Sequence, residues 1–285
     1  MSDDKSKDGG RSLSNSVFYG SLLGALFLLS ILIVKELFIV LLAVAIAVGV
    51  WEISTALRLK GWYVPRVPAM VGSSLIMPAT YIWGAQGQWI FTLATSVALM
   101  IWRLVHILWE KRRSVAHTFE KTVKDLAAAA FVVIYLPLTL SFAVLLLSKD
   151  ENGPAWVLAF VIPVALIDTF GYLVGRKLGR HKLAPGVSPK KTWEGLLASI
   201  IAGTVSTILL MVFLLNLEWW YGLILAAALI LAAVFGDLAE SLIKRDLGVK
   251  DMSSLLPGHG GLMDRLDSLL PASLVTYVFV TLFGL

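Results

Sequence analysis

Nine apolar runs, each close to the length of a membrane crossing, dominate this chain, at roughly 17–34, 37–56, 67–84, 88–106, 126–147, 154–174, 193–215, 219–240 and 269–284. About 20 apolar residues are needed to carry a helix through the hydrocarbon core, and a helix satisfies its own backbone there. The third run is the most broken, since Pro68, Gly72 and Pro78 interrupt it. With 58% hydrophobic and 15% charged residues and a mean hydropathy of +0.83, the chain holds more apolar sequence than a soluble core hides. The expected fold is an all-α polytopic membrane protein with about nine transmembrane helices.

Charge tests that count. Of 24 Lys and Arg residues, all but Lys35, Lys149 and Arg103, which stands near the end of the fourth run, fall in the N-terminal tail or in the loops after the second, fourth, sixth and eighth runs. Cytoplasmic loops collect basic residues, so the alternation predicts a cytoplasmic N-terminus and an outside C-terminus. Residues 1–16 are polar and mixed in charge, unlike a cleavable signal or a transit sequence, and read as a short disordered cytoplasmic tail. Residues 17–285 carry no repeat or linker and read as a single integral membrane domain. The net charge of +5 is spread over short clusters between apolar runs, a pattern of membrane topology and not of a nucleic-acid surface. There is no cysteine and there are only four histidines, which removes disulfides and thiolate metal sites and disfavours zinc.

Against this apolar background, residues 237–267 concentrate acids, bases and glycines. Asp237, Glu240, Ser241 and Lys244 recur at spacings of three and four at the end of the eighth run, which puts them on one helical face. Any one of them alone would pass as an interfacial anchor. Gly248 is a helix stop, and the run Lys250-Asp251 leads to Pro257-Gly-His259-Gly260-Gly261, a turn whose amides can approach a phosphate. Asp264 and Asp267 then share a face beside Arg265 at the start of the last helix, a setting for dipole partners or for a divalent cation.

A second basic patch spans 176–195, with Lys190 and Lys191 among its cations and Ser188, Thr192 and Trp193 able to meet phosphate, base or the lipid interface. Asp168, inside the sixth run, is an intramembrane carboxylate and hence a functional candidate, with Tyr172 one turn on as its expected partner. Glu52, Arg103 and His106 are expected to pack at the interface or to snorkel, without a role. The sequence contains no P-loop, H-E-x-x-H or dinucleotide-binding fingerprint. Fixed cations beside carboxylates at a membrane surface suit a magnesium-bound nucleoside triphosphate and an anionic co-substrate.

These residues resemble the signature of the phosphatidate cytidylyltransferase (CDP-diacylglycerol synthase) family in identity and spacing: Ser241, Lys244-Arg245, Lys250-Asp251, His259-Gly260-Gly261, Asp264-Arg265 and Asp267. Asp168 to Tyr172 and Ser188 to Gly195 are similar as well, so the motif-level likeness covers the last 120 residues or so, and the earlier runs match in hydropathy alone. The resemblance implies a catalytic C-terminal half, about 154–285, that turns CTP and phosphatidic acid into CDP-diacylglycerol and pyrophosphate for phospholipid biosynthesis. It implies Mg2+ in the site and allows a monovalent cation such as K+ and a homodimer, in a bacterial plasma membrane with the site facing the cytoplasm.

On that footing Asp237 and Asp264 hold magnesium, with Asp267 and Asp168 as further ligands. Lys250, Asp251, His259, Asp264, Arg265 and Asp267 form the catalytic set. Ser188, Lys190, Lys191, Thr192, Ser241, Lys244, Arg245, Gly260 and Gly261 bind substrate. The alternatives are a secondary transporter, whose polar site would sit near the midplane, and a CTP-dependent polyprenol or phytol kinase.

Overall fold

A computed structural model describes residues 27–112, 119–149, 152–184, 188–249, 251–253 and 261–285. The chain is an α-helical bundle of α1 (Lys35–Leu59), α2 (Arg66–Arg112), α3 (Phe119–Val133), α4 (Thr139–Leu147), α5 (Gly153–Leu178), α6 (Trp193–Phe213), α7 (Trp219–Leu247), the short α8 (Met263–Leu266) and α9 (Leu269–Phe283). Among the described residues, seven stretches are long and apolar enough to cross a membrane; α3 and α4 form one of them, joined by a π-turn over Ile134–Leu138. Pro137 lies in that turn, where a residue without an N–H disturbs the ordinary helical ladder least.

The stretch over Arg66–Arg112 is two antiparallel limbs. Gly84, at φ 61° and ψ −145°, leaves the helix in a backbone region that a side chain would strain. Beyond it the chain folds back: a Cβ at Gly72 would touch the Thr95 side chain, and the Trp83 and Phe91 rings stack at 5.8 Å. The third and fourth predicted runs are thus the limbs of a hairpin, and the break expected from Pro68, Gly72 and Pro78 falls instead at Gly84. Most of the first predicted run, and the N-terminal tail, lie outside the described residues.

Two details fix the C-terminal half. Gly171 and Gly175 of α5 face Gly195 and Ser199 of α6 so closely that a Cβ at Gly195 would lie 2.6 Å from the Gly171 carbonyl oxygen. Small residues four apart let membrane helices approach to backbone contact, and Ser199 Oγ donates to the Ile167 carbonyl at 2.7 Å. Between these helices the chain forms an antiparallel ribbon of β1 (Lys182–Ala184) and β2 (Ser188–Thr192), a departure from a purely helical expectation. At the opposite end Lys149 Nζ donates to the carbonyl oxygen of Leu285, so the C-terminus and the loop after α4 share one side.

Candidate active site

The ribbon and the polar ends of α5, α6, α7 and α8–α9 enclose a cavity of about 910 Å³. Sites for small molecules usually measure about 300–1,000 Å³, so this one lies at the roomy end of that range. Asp168, Ser188, Lys191, Thr192, Asp237, Lys244, Asp264, Arg265 and Asp267 line it. Both sequence patches therefore meet in one place, although the ribbon and α7 are separated by the whole length of α6.

The charges are arranged in pairs. Lys191 Nζ on β2 reaches Asp237 Oδ2 on α7 at 2.5 Å, with 23% and 34% of the two side chains exposed. Lys244 Nζ reaches Asp264 Oδ1 at 2.8 Å and lies 3.4 Å from Glu240 Oε1. The spacing of three and four on α7 does put Asp237, Glu240, Ser241 and Lys244 together, and Ser241 Oγ donates to Asp237 Oδ1 over a long 3.4 Å. Gly236 makes the next approach: a Cβ there would come within 2.5 Å of the Asp267 carbonyl oxygen, and its absence sets α7 against the start of α9. Asp267 Oδ1 accepts from the Ser268 amide at 2.7 Å. Asp168 faces Ser268, Asp237, Asp267 and Lys191. Tyr172 is not its partner; the Tyr172 hydroxyl accepts from Arg176, one turn further along α5, at 2.9 Å.

Glu240 was not singled out as a site residue by sequence reasoning, yet it is the most exacting group here. Its side chain is 0% exposed, neither carboxylate oxygen receives a hydrogen bond, and the Asp264 and Asp267 carboxylates lie beside it. A buried carboxylate in such company needs a compensating cation or proton. Among the described residues no three His, Asp or Glu side chains close into a ready metal cage. Mg2+ does not require one: it keeps several waters and is held through one or two carboxylates plus substrate phosphates. Lys244 Nζ, 3.4 Å from Glu240, is shared with Asp264, so the oxygen-rich set around Glu240 suits a hard divalent cation.

Some predicted residues take other positions. Thr192 is the N-cap of α6, its Oγ1 accepting from the Gly195 amide at 3.2 Å, and it is nearly buried. Gly261 is buried and Arg245 and Asp251 are exposed, none of them on the cavity wall. Trp193, 58% exposed, suits the lipid interface. Lys250, His259 and Gly260 lie outside the described residues, as does the side chain of Lys190.

Glu52, Arg103 and His106 correct the expectation of snorkelling. Arg103 pairs with Asp125 at 2.5 Å, the two side chains 3% and 0% exposed, and bonds to His106 Nδ1 at 3.0 Å. Glu52, on α1, is fully buried and accepts from the amides of Leu262 and Met263. The one signal available was an acid inside an apolar run; its partners are more than 200 positions away.

A membrane-embedded bundle with lysine–carboxylate pairs around one cavity at a single end has the build of an enzyme for phosphorylated substrates, not of a midplane carrier. The comparison with known proteins makes the class specific. The chain belongs to the cytidylyltransferase family, whose profile matches residues 15–283. It is 38% identical over 278 residues to the phosphatidate cytidylyltransferase of Mycobacterium leprae, covering 96% of this chain and 89% of that one. The enzyme of the same name from Mycobacterium tuberculosis is 36% identical over 275 residues (96% and 84%), and that of Bacillus subtilis 28% over 273 (95% and 99%).

Proposed function

We infer that this enzyme transfers the cytidylyl group of CTP to phosphatidic acid, giving CDP-diacylglycerol and pyrophosphate. The observation that carries this reading is the meeting of both motif regions, 168–195 and 237–268, in one cavity of a chain that aligns with phosphatidate cytidylyltransferases over nearly its whole length.

An oxygen of the lipid phosphate attacks the α-phosphorus of CTP; the new P–O bond forms as the bond to the β-phosphate breaks, and pyrophosphate leaves. The nucleophile is already anionic at neutral pH, so the protein's task is positioning and charge neutralisation more than proton abstraction. Lys191, Lys244 and Arg265 neutralise phosphate oxygens, and the lysines exchange their carboxylate partners for substrate as it enters. Asp237, Asp264 and Asp267, with Asp168 and Glu240 behind them, hold the divalent cation. When bound, magnesium supplies charge neutralisation on the triphosphate and its leaving group. Ser188 on the cavity wall completes the phosphate contacts, with Lys250 and His259 joining from the signature.

The basic end of the bundle faces the cytoplasm in this reading, where CTP is available, and the C-terminus with Lys149 faces outside, in a bacterial plasma membrane. Single cysteines test it against the cysteine-free background: an impermeant thiol reagent added to intact cells labels Lys149→Cys and not Lys182→Cys, and the reverse pattern overturns the orientation.

The decisive assay gives purified protein CTP labelled at the α-phosphorus, phosphatidic acid and Mg2+. Label in the lipid with release of pyrophosphate is expected. With CTP labelled at the γ-phosphorus and a polyprenol or phytol as acceptor, label entering the lipid would make the protein a CTP-dependent kinase.

A further inference from the structure

Glu52 stands in α1, in the half of the chain that contributes nothing to the cavity wall, yet its carboxylate ends inside the turn that carries Asp264. Its Oε2 accepts from the Met263 amide at 2.8 Å and its Oε1 from the Leu262 amide at 3.0 Å, and the Ser253 hydroxyl donates to the same Oε1. No Lys, Arg or His pairs with it among the described ion pairs, so three N–H and O–H donors compensate a charge that burial makes costly. Carboxylate and turn consequently fix each other.

Asp264 grips the same turn from the other side. Its Oδ2 accepts from the Gly261 amide at 2.8 Å and the Met252 amide at 3.2 Å, while Oδ1 faces Lys244. Gly261 is the spacer between the two acids: a Cβ there would lie 3.0 Å from Asp264 Oδ2 and 3.0 Å from Glu52 Oε2. Five donors from 252–253 and 261–263 are thereby shared between one acid that faces the cavity and one that does not.

We propose that Glu52 is a positioning residue for cytidylyl transfer, which anchors the 261–263 turn to α1 so that Asp264 and Arg265 are held at the cavity. The proposal rests on the function inferred above. It assigns the N-terminal half a direct part in the geometry of the reaction, where the signature motifs contribute nothing.

The test is Glu52→Gln, which keeps size and shape but presents an amide nitrogen to amide donors. The variant is expected to insert and melt like wild type. Its kcat should fall about 100-fold, as displacements near 1 Å do, with the half-saturating Mg2+ concentration raised and KM for phosphatidic acid within about twofold. Hydrogen exchange of peptides covering 252–265 should quicken without any substrate, while peptides of α2 stay unchanged. Glu52→Asp should recover part of the rate. Turnover within twofold of wild type, or a lowered melting temperature with unchanged turnover per folded molecule, overturns the proposal. If Glu52→Gln does not fold, Gly261→Ala decides, since it wedges the two acids apart with every charge retained: it should show the same loss of kcat and the same Mg2+ shift, and normal kinetics in it also overturn the proposal. A wild type that makes no CDP-diacylglycerol would instead sink the inferred function, and the exchange difference would still report on the anchor.

Discussion

Both halves of the bundle bury charged pairs, but they leave them in opposite states. In the N-terminal half Arg103 and Asp125 are sealed at 2.5 Å; Asp125 also accepts from the Tyr63 amide at 2.7 Å, and the Arg103 guanidinium lies 5.0 Å from the centre of the Tyr63 ring. In the C-terminal half Lys191–Asp237 and Lys244–Asp264 open onto a cavity, and Glu240 behind them lacks a hydrogen bond. A sealed pair has already recovered what it can of its desolvation cost and ties helices together. An open one retains charge that an incoming phosphate or cation can use.

The comparison breaks first at the carboxylates. Asp237→Asn and Asp264→Asn keep volume and hydrogen-bonding capacity but remove a charge from the cavity. Turnover in the CTP and phosphatidic acid assay should fall about 1,000-fold or more, roughly 4 kcal/mol in barrier height, with little change in melting temperature. A variant that keeps near-native rates at limiting Mg2+ would show that its carboxylate is not a ligand.

The sealed pair should behave in the reverse way. Arg103→Met leaves Asp125 buried without its cation and is expected to cost about 3–5 kcal/mol of stability, read by unfolding in detergent. Turnover per folded molecule should be unchanged, and Arg103→Met combined with Asp125→Leu should recover most of the loss. Loss of turnover in a stable double variant would place this pair in the catalytic apparatus.

Arg265→Lys sharpens the contrast at constant charge. A lysine serves topology as well as an arginine does, but a point charge cannot reproduce a planar fork on phosphate. Insertion should be normal and the rate lower by about 2–4 kcal/mol, roughly 30-fold to 1,000-fold, while Lys5→Arg in the tail changes nothing.

The difference between the halves also explains what the sequence could disclose. Hydropathy places α1, both limbs of α2, the α3–α4 crossing, α5 to α7 and α9, because a membrane crossing needs its apolar run in continuous sequence. The stripe on α7 and the Asp264–Asp267 pair follow from helical period alone. What escapes is every relation that depends on two distant helices meeting. Lys191 on β2 meets Asp237 on α7 from the far side of α6, and Lys244 on α7 meets Asp264 on α8. Glu52 meets Met263 across 211 positions, and nothing within its own apolar run marks it as different from an interfacial anchor. The fold-back at Gly84, by contrast, is legible, falling where the third run ends and the fourth begins, whereas Pro68, Gly72 and Pro78, the stronger local breakers, all stay within one limb.

The smallest expected effect concerns Thr192, which lies on the cavity wall and was counted with the substrate-binding residues. Its Oγ1 already accepts from the Gly195 amide, and its side chain is nearly buried, so capping α6 accounts for the position. Asparagine caps as well as threonine does, whereas alanine forfeits about 1 kcal/mol. Thr192→Asn should therefore match wild type in both stability and turnover, and Thr192→Ala should lose only that stability, lowering the melting temperature slightly. The cap also holds Lys191 where β2 meets α6, so a few-fold loss of rate in the alanine variant, absent in the asparagine one, fits the same role. A loss of tenfold or more in Thr192→Asn with the melting temperature intact would mean that the hydroxyl donates to substrate while its oxygen caps the helix. The line drawn between sealed structural groups and open reactive ones would then have to pass through a single side chain.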